Sequence, residues 1–337
     1  MRNSNRISRR SFLQIIAVGA VAGATAKLGF DALSAPEPVS ATRLLMGTVV
    51  NLTIISDDKA AAQSAIDATL TRMAELEGVL SRFQPQSQLS QLNQTGRLEY
   101  AHPALLGLIA QARQLSDRSG GAFDITVKPL VDLYQQYQST NSLPADAEIA
   151  VALQKVDYRA IQIDGNRIAF NRPGMAITLD GIAKGYIVDE GVAVLKAAGF
   201  GNVLVEAGGD LLASGHKSAG EAWQIGIQSP RTAHPGLLAL LDVQNRAVAT
   251  SGDYMQAFSA DMRQHHILDP RTGYSSPELA SATVIAPSAM LADGLATTAM
   301  VLGSKDGLIL VEQLPGCDAC LIDKTLQQFN TVNFTSL

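Results

Sequence analysis

Ile161-Gln162-Ile163-Asp164-Gly165-Asn166-Arg167-Ile168-Ala169-Phe170 decides the fold class of this chain. Apolar and polar residues alternate on either side of Asp-Gly-Asn, a turn whose residues accept positive φ, so the stretch reads as a β-hairpin. It leads to residues 175–179, read as a strand, which run into Leu179-Asp180-Gly181-Ile182-Ala183-Lys184-Gly185-Tyr186 and then a helix over 183–198. Antiparallel pairing therefore sits beside a strand–helix junction. Working outward, the N-terminal side offers a strand over 44–55 and an amphipathic helix over 60–80, with Ile66, Leu70, Met73, Leu76 and Leu80 on one face. A polar loop or weak helix over 84–94 follows, then a helix over 102–119 stopped by Gly120-Gly121. The C-terminal side offers strands over 203–206, 223–227, 237–243, 247–250 and 282–285, and a helix over 289–302. Frequent hairpins exclude a purely parallel doubly wound sheet. The fold class is α+β, a mixed α/β globule, with one domain over 43–337.

Ahead of that domain, Arg2, Arg6, Arg9 and Arg10 precede a mostly apolar run over 12–26, the layout of an export signal. Ser8-Arg9-Arg10-Ser11-Phe12-Leu13-Gln14 looks like a twin-arginine signal. Residues 1–35 are read as that signal and 36–42 as a linker. Cleavage fits after Ala24-Thr25-Ala26 or after Leu33-Ser34-Ala35, leaving a periplasmic chain with no stable membrane anchor. The full chain of 337 residues carries a net charge of −5. Residues 1–35 hold five basic and one acidic residue, so a chain starting at Pro36 carries −9. An acidic surface without a basic stripe argues against nucleic acid as a partner.

The two cysteines, Cys317 and Cys320, are spaced C-x-x-C near the C-terminus. That spacing leaves a local disulfide, two incidental thiols or a redox pair open. No second such pair or nearby His completes a zinc site.

Chemistry concentrates elsewhere. Asp293 and Thr297 are four residues apart on a helix, so their hard oxygen donors project from one face, a pair suited to Mg²⁺ beside a phosphate-bearing ligand. The flanking Leu291, Leu295, Ala296, Ala299 and Met300 mark that helix as buried. At 178–186 a strand is read as ending where a helix begins, glycines permit close backbone approach, and Lys184 adds a positive charge in the first turn. The order is neither that of a Walker A loop nor of a dinucleotide-binding fingerprint. His265 and His266, read as part of a strand, would face opposite ways, so one of them reaches a given cleft. On their own, Met46 and Phe83 read as core.

Taken together and in order, Met46-Gly47-Thr48, Gly120-Gly121-Ala122-Phe123-Asp124, the 179–186 segment, His265-His266-Ile267-Leu268-Asp269-Pro270 and Ala292-Asp293-Gly294-Leu295-Ala296-Thr297 resemble the ApbE family of FAD:protein FMN transferases. The resemblance implies two packed α+β lobes with the site between them. It implies FAD contacts at Met46, Phe83, Ala122, Phe123, Asp124, Thr178, Lys184 and Ile267, with Phe83 as the stacking aromatic. It adds the Gly181 carbonyl to Asp293 and Thr297 as metal ligands, and selects His266 over His265 as the catalytic histidine, with Asp293 as the other catalytic group. Asp180 departs from the family pattern, which has a small residue there. The implied reaction is Mg²⁺-dependent transfer of FMN from FAD to a Thr or Ser hydroxyl of a target, a flavoprotein subunit of a periplasmic redox complex, with release of AMP. The same residues would also serve an FAD pyrophosphatase; a non-catalytic flavin carrier would not need a metal next to the scissile bond.

Overall fold

The structure, a computed structural model, describes residues 37–138, 142–217 and 220–336. The export signal and both cleavage sites lie outside the described residues. Strand β1 (Pro38–Leu45) pairs antiparallel with β2 (Thr48–Ile55). The 44–55 strand is broken by a turn, because Met46 (φ 54°) and Gly47 (φ 69°) are both left-handed, the geometry that lets paired strands keep their twist. Strand β1 also begins at Pro38, inside the segment read as a linker.

Helix α1 (Lys59–Leu80) starts on Asp58, whose carboxylate accepts the Ala61 N–H at 2.9 Å. Within the polar stretch read as loop or weak helix, α2 (Gln88–Thr95) forms between a Ser87 cap and Gly96, which is left-handed at φ 71°. Strand β3 (Arg97–Leu98) and α3 (Pro103–Arg118) follow, then α4 (Lys128–Tyr137) and α5 (Asp146–Leu153), neither of which was anticipated. The hairpin forms as read, β4 (Ile161–Asp164) against β5 (Arg167–Phe170), and β3 completes a three-stranded sheet. Residues 175–179 are not a strand. The Asn93 side chain takes both backbone groups of Ile177, at 2.9 and 2.7 Å, and Thr178 N–H goes to Ile125 O at 2.8 Å, so no ladder forms.

Helix α6 (Ala183–Ala197) leads to β6 (Val203–Ala207), β7 (Asp210–Ser214), β8 (Trp223–Gln228), β9 (Leu237–Val243), β10 (Arg246–Gly252) and β11 (Leu279–Ala286). Helix α7 (Ala289–Glu312), β12 (Asp318–Asp323) and β13 (Gln328–Asn330) complete the described chain. Helix α7 breaks at Gly303, whose φ of 81° separates the helix read over 289–302 from a second segment. Its length and apolarity would suffice to cross a membrane, yet it lies mostly inside the protein.

Eight strands form one antiparallel sheet in the order β1-β2-β6-β7-β10-β11-β12-β13. Period-two alternation assigns its two faces. Val203, Val205, Ala207, Ala319 and Leu321 pack into the main core with α1, α6 and α7, while Leu204, Cys320 and Ile322 pack on the other face against the β8–β9 hairpin. Leu89, Leu105, Ile161 and Ile168 from the smaller sheet and its helices join the main core, so the two expected lobes share one apolar interior.

Candidate functional site

The site forms where α6 meets α7. Glycine makes that contact possible: a Cβ on Gly185 would lie 2.1 Å from Ala289 O and 2.7 Å from Met290 N. At the same place Asp189 of α6 accepts the Ala289 and Met290 N–H groups at 2.7 and 2.9 Å, capping the start of α7. Burial pushes the Asp189 carboxyl up to about 6. One turn further along α7, Asp293 accepts the Gly185 N–H at 3.0 Å through Oδ2 and is itself only 5% exposed. Thr297 lies next on that face, its Oγ1 3.1 Å from Ser251 Oγ of β10.

Gly181 comes up against Thr297. A Cβ there would stand 2.9 Å from Thr297 Oγ1, so only glycine lets the backbone and the hydroxyl lie this close. The structure thus brings together all three residues of the anticipated metal set. Among the described residues no three His, Cys, Asp or Glu side chains gather into a metal cluster. These three residues could offer one carboxylate, one hydroxyl and one carbonyl, hard oxygens of the kind Mg²⁺ prefers.

Charge supports the fit. Asp210, 1% exposed, sits with Asp293 and Glu206 around a single ammonium, Lys184. Asp210 Oδ2 is 3.0 Å from Lys184 Nζ, a buried ion pair. Glu206 is held by Gly209 N–H at 2.8 Å and Asn51 Nδ2 at 2.6 Å. Burial, followed by the Asp210 charge, drives the Asp293 carboxyl well above the usual carboxylate range. Asp210 and Glu206 are raised as well, burial again the first cause. Burial disfavours the Lys184 ammonium, but Asp210, Asp293 and Glu206 outweigh it and hold its pKa above the ordinary lysine value. Three desolvated carboxylates facing one lysine make a pocket that a divalent cation would stabilise.

The paired histidines are not in a strand, which corrects the alternation argument. His265 forms only an isolated bridge with Ala257. Its ring is fully buried and satisfied: Nε2 meets Ser276 O at 2.7 Å, and Nδ1 accepts the Ile267 N–H at 3.3 Å. Burial lowers its pKa to about 4. His266 is half-buried, and its Nδ1 meets Gln256 O at 3.3 Å. A carbonyl can only accept, so the proton sits on Nδ1 and Nε2 keeps a lone pair. Burial lowers the His266 pKa too, and Asp180, Asp253 and Arg82 are the charges around it.

The remaining anticipated contacts divide. Met46 sits in the β1–β2 turn. Phe83 is 72% exposed, which overturns its reading as core. Ala122 and Phe123 lie in the main core. Asp124 is spent internally: Oδ1 takes Thr126 N–H and Oγ1 at 2.7 and 2.6 Å, and Oδ2 takes Tyr158 N–H at 3.0 Å. Burial still raises its carboxyl. Its visible work is to fix the loop that binds Thr178 N–H. Thr178 Oγ1 in turn accepts the Asp180 N–H at 3.2 Å, and Ile267 is buried beside the histidines. No hydrogen bond or ion pair joins His266 to Asp293 among the described residues. Arg82, Asn51 and Glu206 were not singled out from the sequence, since an isolated polar residue in a strand or at a helix end carries no local signal. A groove of about 480 Å³ between α4 and α5 contains none of these groups.

Known proteins resemble this chain in sequence and in fold. The chain is 30% identical to the FAD:protein FMN transferase of Vibrio cholerae over 298 residues, which span 86% of this chain and 89% of that protein. It is 30% identical to the FAD:protein FMN transferase of Treponema pallidum over 303 residues, spanning 84% of each. Among solved structures, the flavin transferase ApbE of Vibrio cholerae superposes with a TM-score of 0.76 at 29% identity, covering 89% of this chain and 98% of that one. The ApbE protein of Thermotoga maritima reaches 0.79 at 29% identity, covering 88% and 98%. The fold is that of the flavin transferases. Residues 46–321 match the model of the ApbE family, and the chain belongs to that family.

Proposed function

We propose that the protein transfers the FMN part of FAD to a Thr or Ser hydroxyl of a target protein, with AMP as the leaving group, in the periplasm. The observation that carries this reading is the convergence of Asp293, Thr297 and Gly181 beside Lys184 in a buried, acidic pocket. In the reaction, a bond forms between the acceptor oxygen and the FMN-side phosphorus, and the bond from that phosphorus to the bridging oxygen breaks, leaving AMP. Mg²⁺ held by Asp293, Thr297 and the Gly181 carbonyl would offset the diphosphate charge. Lys184, oriented by Asp210 and by Gly208 O at 3.3 Å, supplies a fixed positive charge. His266 Nε2 accepts the hydroxyl proton, since burial keeps its ring neutral near pH 7. The twin-arginine-type signal and the family's chemistry support a flavoprotein subunit of a periplasmic redox complex as the target. AMP measured by chromatography with and without such an acceptor tests the reading. Acceptor-dependent AMP release is expected; equal release without acceptor would assign FAD hydrolysis instead.

A further inference from the structure

Arg82 and Asp180 are the unusual pair at this site. Arg82 follows Ser81, the residue that closes α1, and Asp180 directly precedes Gly181. Arg82 Nε donates to Asp180 Oδ2 at 2.6 Å, although 98 residues separate them. The guanidinium carbon stands 4.2 Å from the centroid of the Phe83 ring. The Arg82 side chain is 10% exposed, whereas Phe83 is 72% exposed. An exposed aromatic ring therefore has one face covered by a largely buried cation, and that cation is held by a carboxylate on the glycine-rich loop.

The geometry points to Arg82 and Asp180 as positioning residues that fix the Phe83 ring, so that its uncovered face stacks against the isoalloxazine of FAD. This rests on the flavin-transfer reading above and deepens it. Three physical points support it. A ring carries two π-faces, and a cation on one face leaves the other as its only stacking surface. Phe83 lacks the hydroxyl with which a tyrosine could be anchored, so its orientation has to come from contact with neighbours. An arginine held at Nε by a carboxylate keeps its plane fixed, which a solvated side chain does not. The pairing also gives Asp180 a role outside the metal set. Its side chain faces Arg82, and the metal loop and the flavin wall are tied through it.

The test uses flavin fluorescence quenching to measure FAD binding by the mature protein, with Mg²⁺ and no acceptor. Arg82→Gln and Asp180→Asn are each expected to weaken FAD binding about five- to tenfold, the size of one partly desolvated cation–π contact. The double variant should be no weaker than the worse single variant. In a Phe83→Leu background, neither substitution should weaken binding further. Glu99→Gln, which removes the exposed Arg167–Glu99 pair on the small sheet, serves as the control and should bind FAD like the parent. Unchanged FAD binding by both single variants, or full additivity with Phe83→Leu, overturns the proposal. A parent protein that binds no FAD overturns the functional reading itself, which is a separate and recognisable result.

Discussion

His265 and His266 are adjacent in sequence and opposite in circumstance. His265 has both ring nitrogens engaged and no exposure, whereas His266 keeps Nε2 free on a half-buried ring. His266→Ala is therefore expected to lower turnover by about 10²-fold or more, the usual worth of a general base, while FAD still binds. His265→Ala should act chiefly on stability, by leaving Ser276 O and Ile267 N–H without their partners. Steady-state rates and melting curves of both variants separate the two effects; equal losses of turnover at equal stability would contradict the assignment. His265 also gives stability a pH dependence. Its pKa is near 6.5 unfolded and about 4 folded, so between those values the unfolded chain binds a proton that the folded chain refuses. The His265 contribution to stability should fall as pH drops from 6.5 to 4, by on the order of 3 kcal/mol. Denaturant titrations should show a steeper loss over that interval in the parent than in His265→Gln, and parallel curves would contradict it. The Asp293–Thr297 pair was legible from the sequence because two oxygen donors four apart on an apolar helix are conspicuous. The choice of His266 comes from the family resemblance; the separate argument that strand alternation sets the two rings apart fails, because loop hydrogen bonds do so instead.

The contact between α6 and α7 fixes the site at the next scale. It depends on Gly185, on Asp189 capping α7, and on the bond from Gly185 N–H to Asp293. Gly185→Ala places a methyl 2.1 Å from a backbone carbonyl that moves only if the helix moves. A cost of about 1–3 kcal/mol or more is expected, together with a loss of transfer as α7 carries Asp293 away. Normal melting and normal activity of that variant would show that the helices have room the structure denies them. Helices α1, α3 and α6 and the β4–β5 hairpin were legible because each carries its own signal: periodicity, a glycine stop, or an Asp-Gly turn. Two elements show the limits of such signals. Residues 175–179 have the composition of a strand, but Asn93 takes the hydrogen bonds of Ile177, which no local pattern reveals. The break between β1 and β2 falls at Met46, a residue type that seldom adopts φ > 0.

Across the whole molecule, an eight-stranded sheet carries a helical layer on one face and a hairpin on the other, and this settles the cysteine question. Cys317 packs in the main core on the helix side, and Cys320 packs in the cluster on the opposite face. Both are free thiols, and side chains directed to opposite faces cannot bridge. Burial raises both to about 11, so neither is a ready nucleophile. Replacement of both by alanine should leave transfer intact and cost some stability through lost packing; a folded double variant without transfer would reopen a redox role. From sequence the pair looked like one motif, because spacing along the chain does not report which face of a sheet each residue occupies. The central claim, that this pocket moves FMN from FAD onto another protein, is tested most directly by intact mass. The mature protein is incubated with FAD, Mg²⁺ and a candidate periplasmic flavoprotein subunit, and the subunit is then weighed. Its mass should rise by one FMN less one water with the parent enzyme and stay unchanged with Asp293→Ala; an unchanged subunit beside FAD already split into FMN and AMP would contradict transfer.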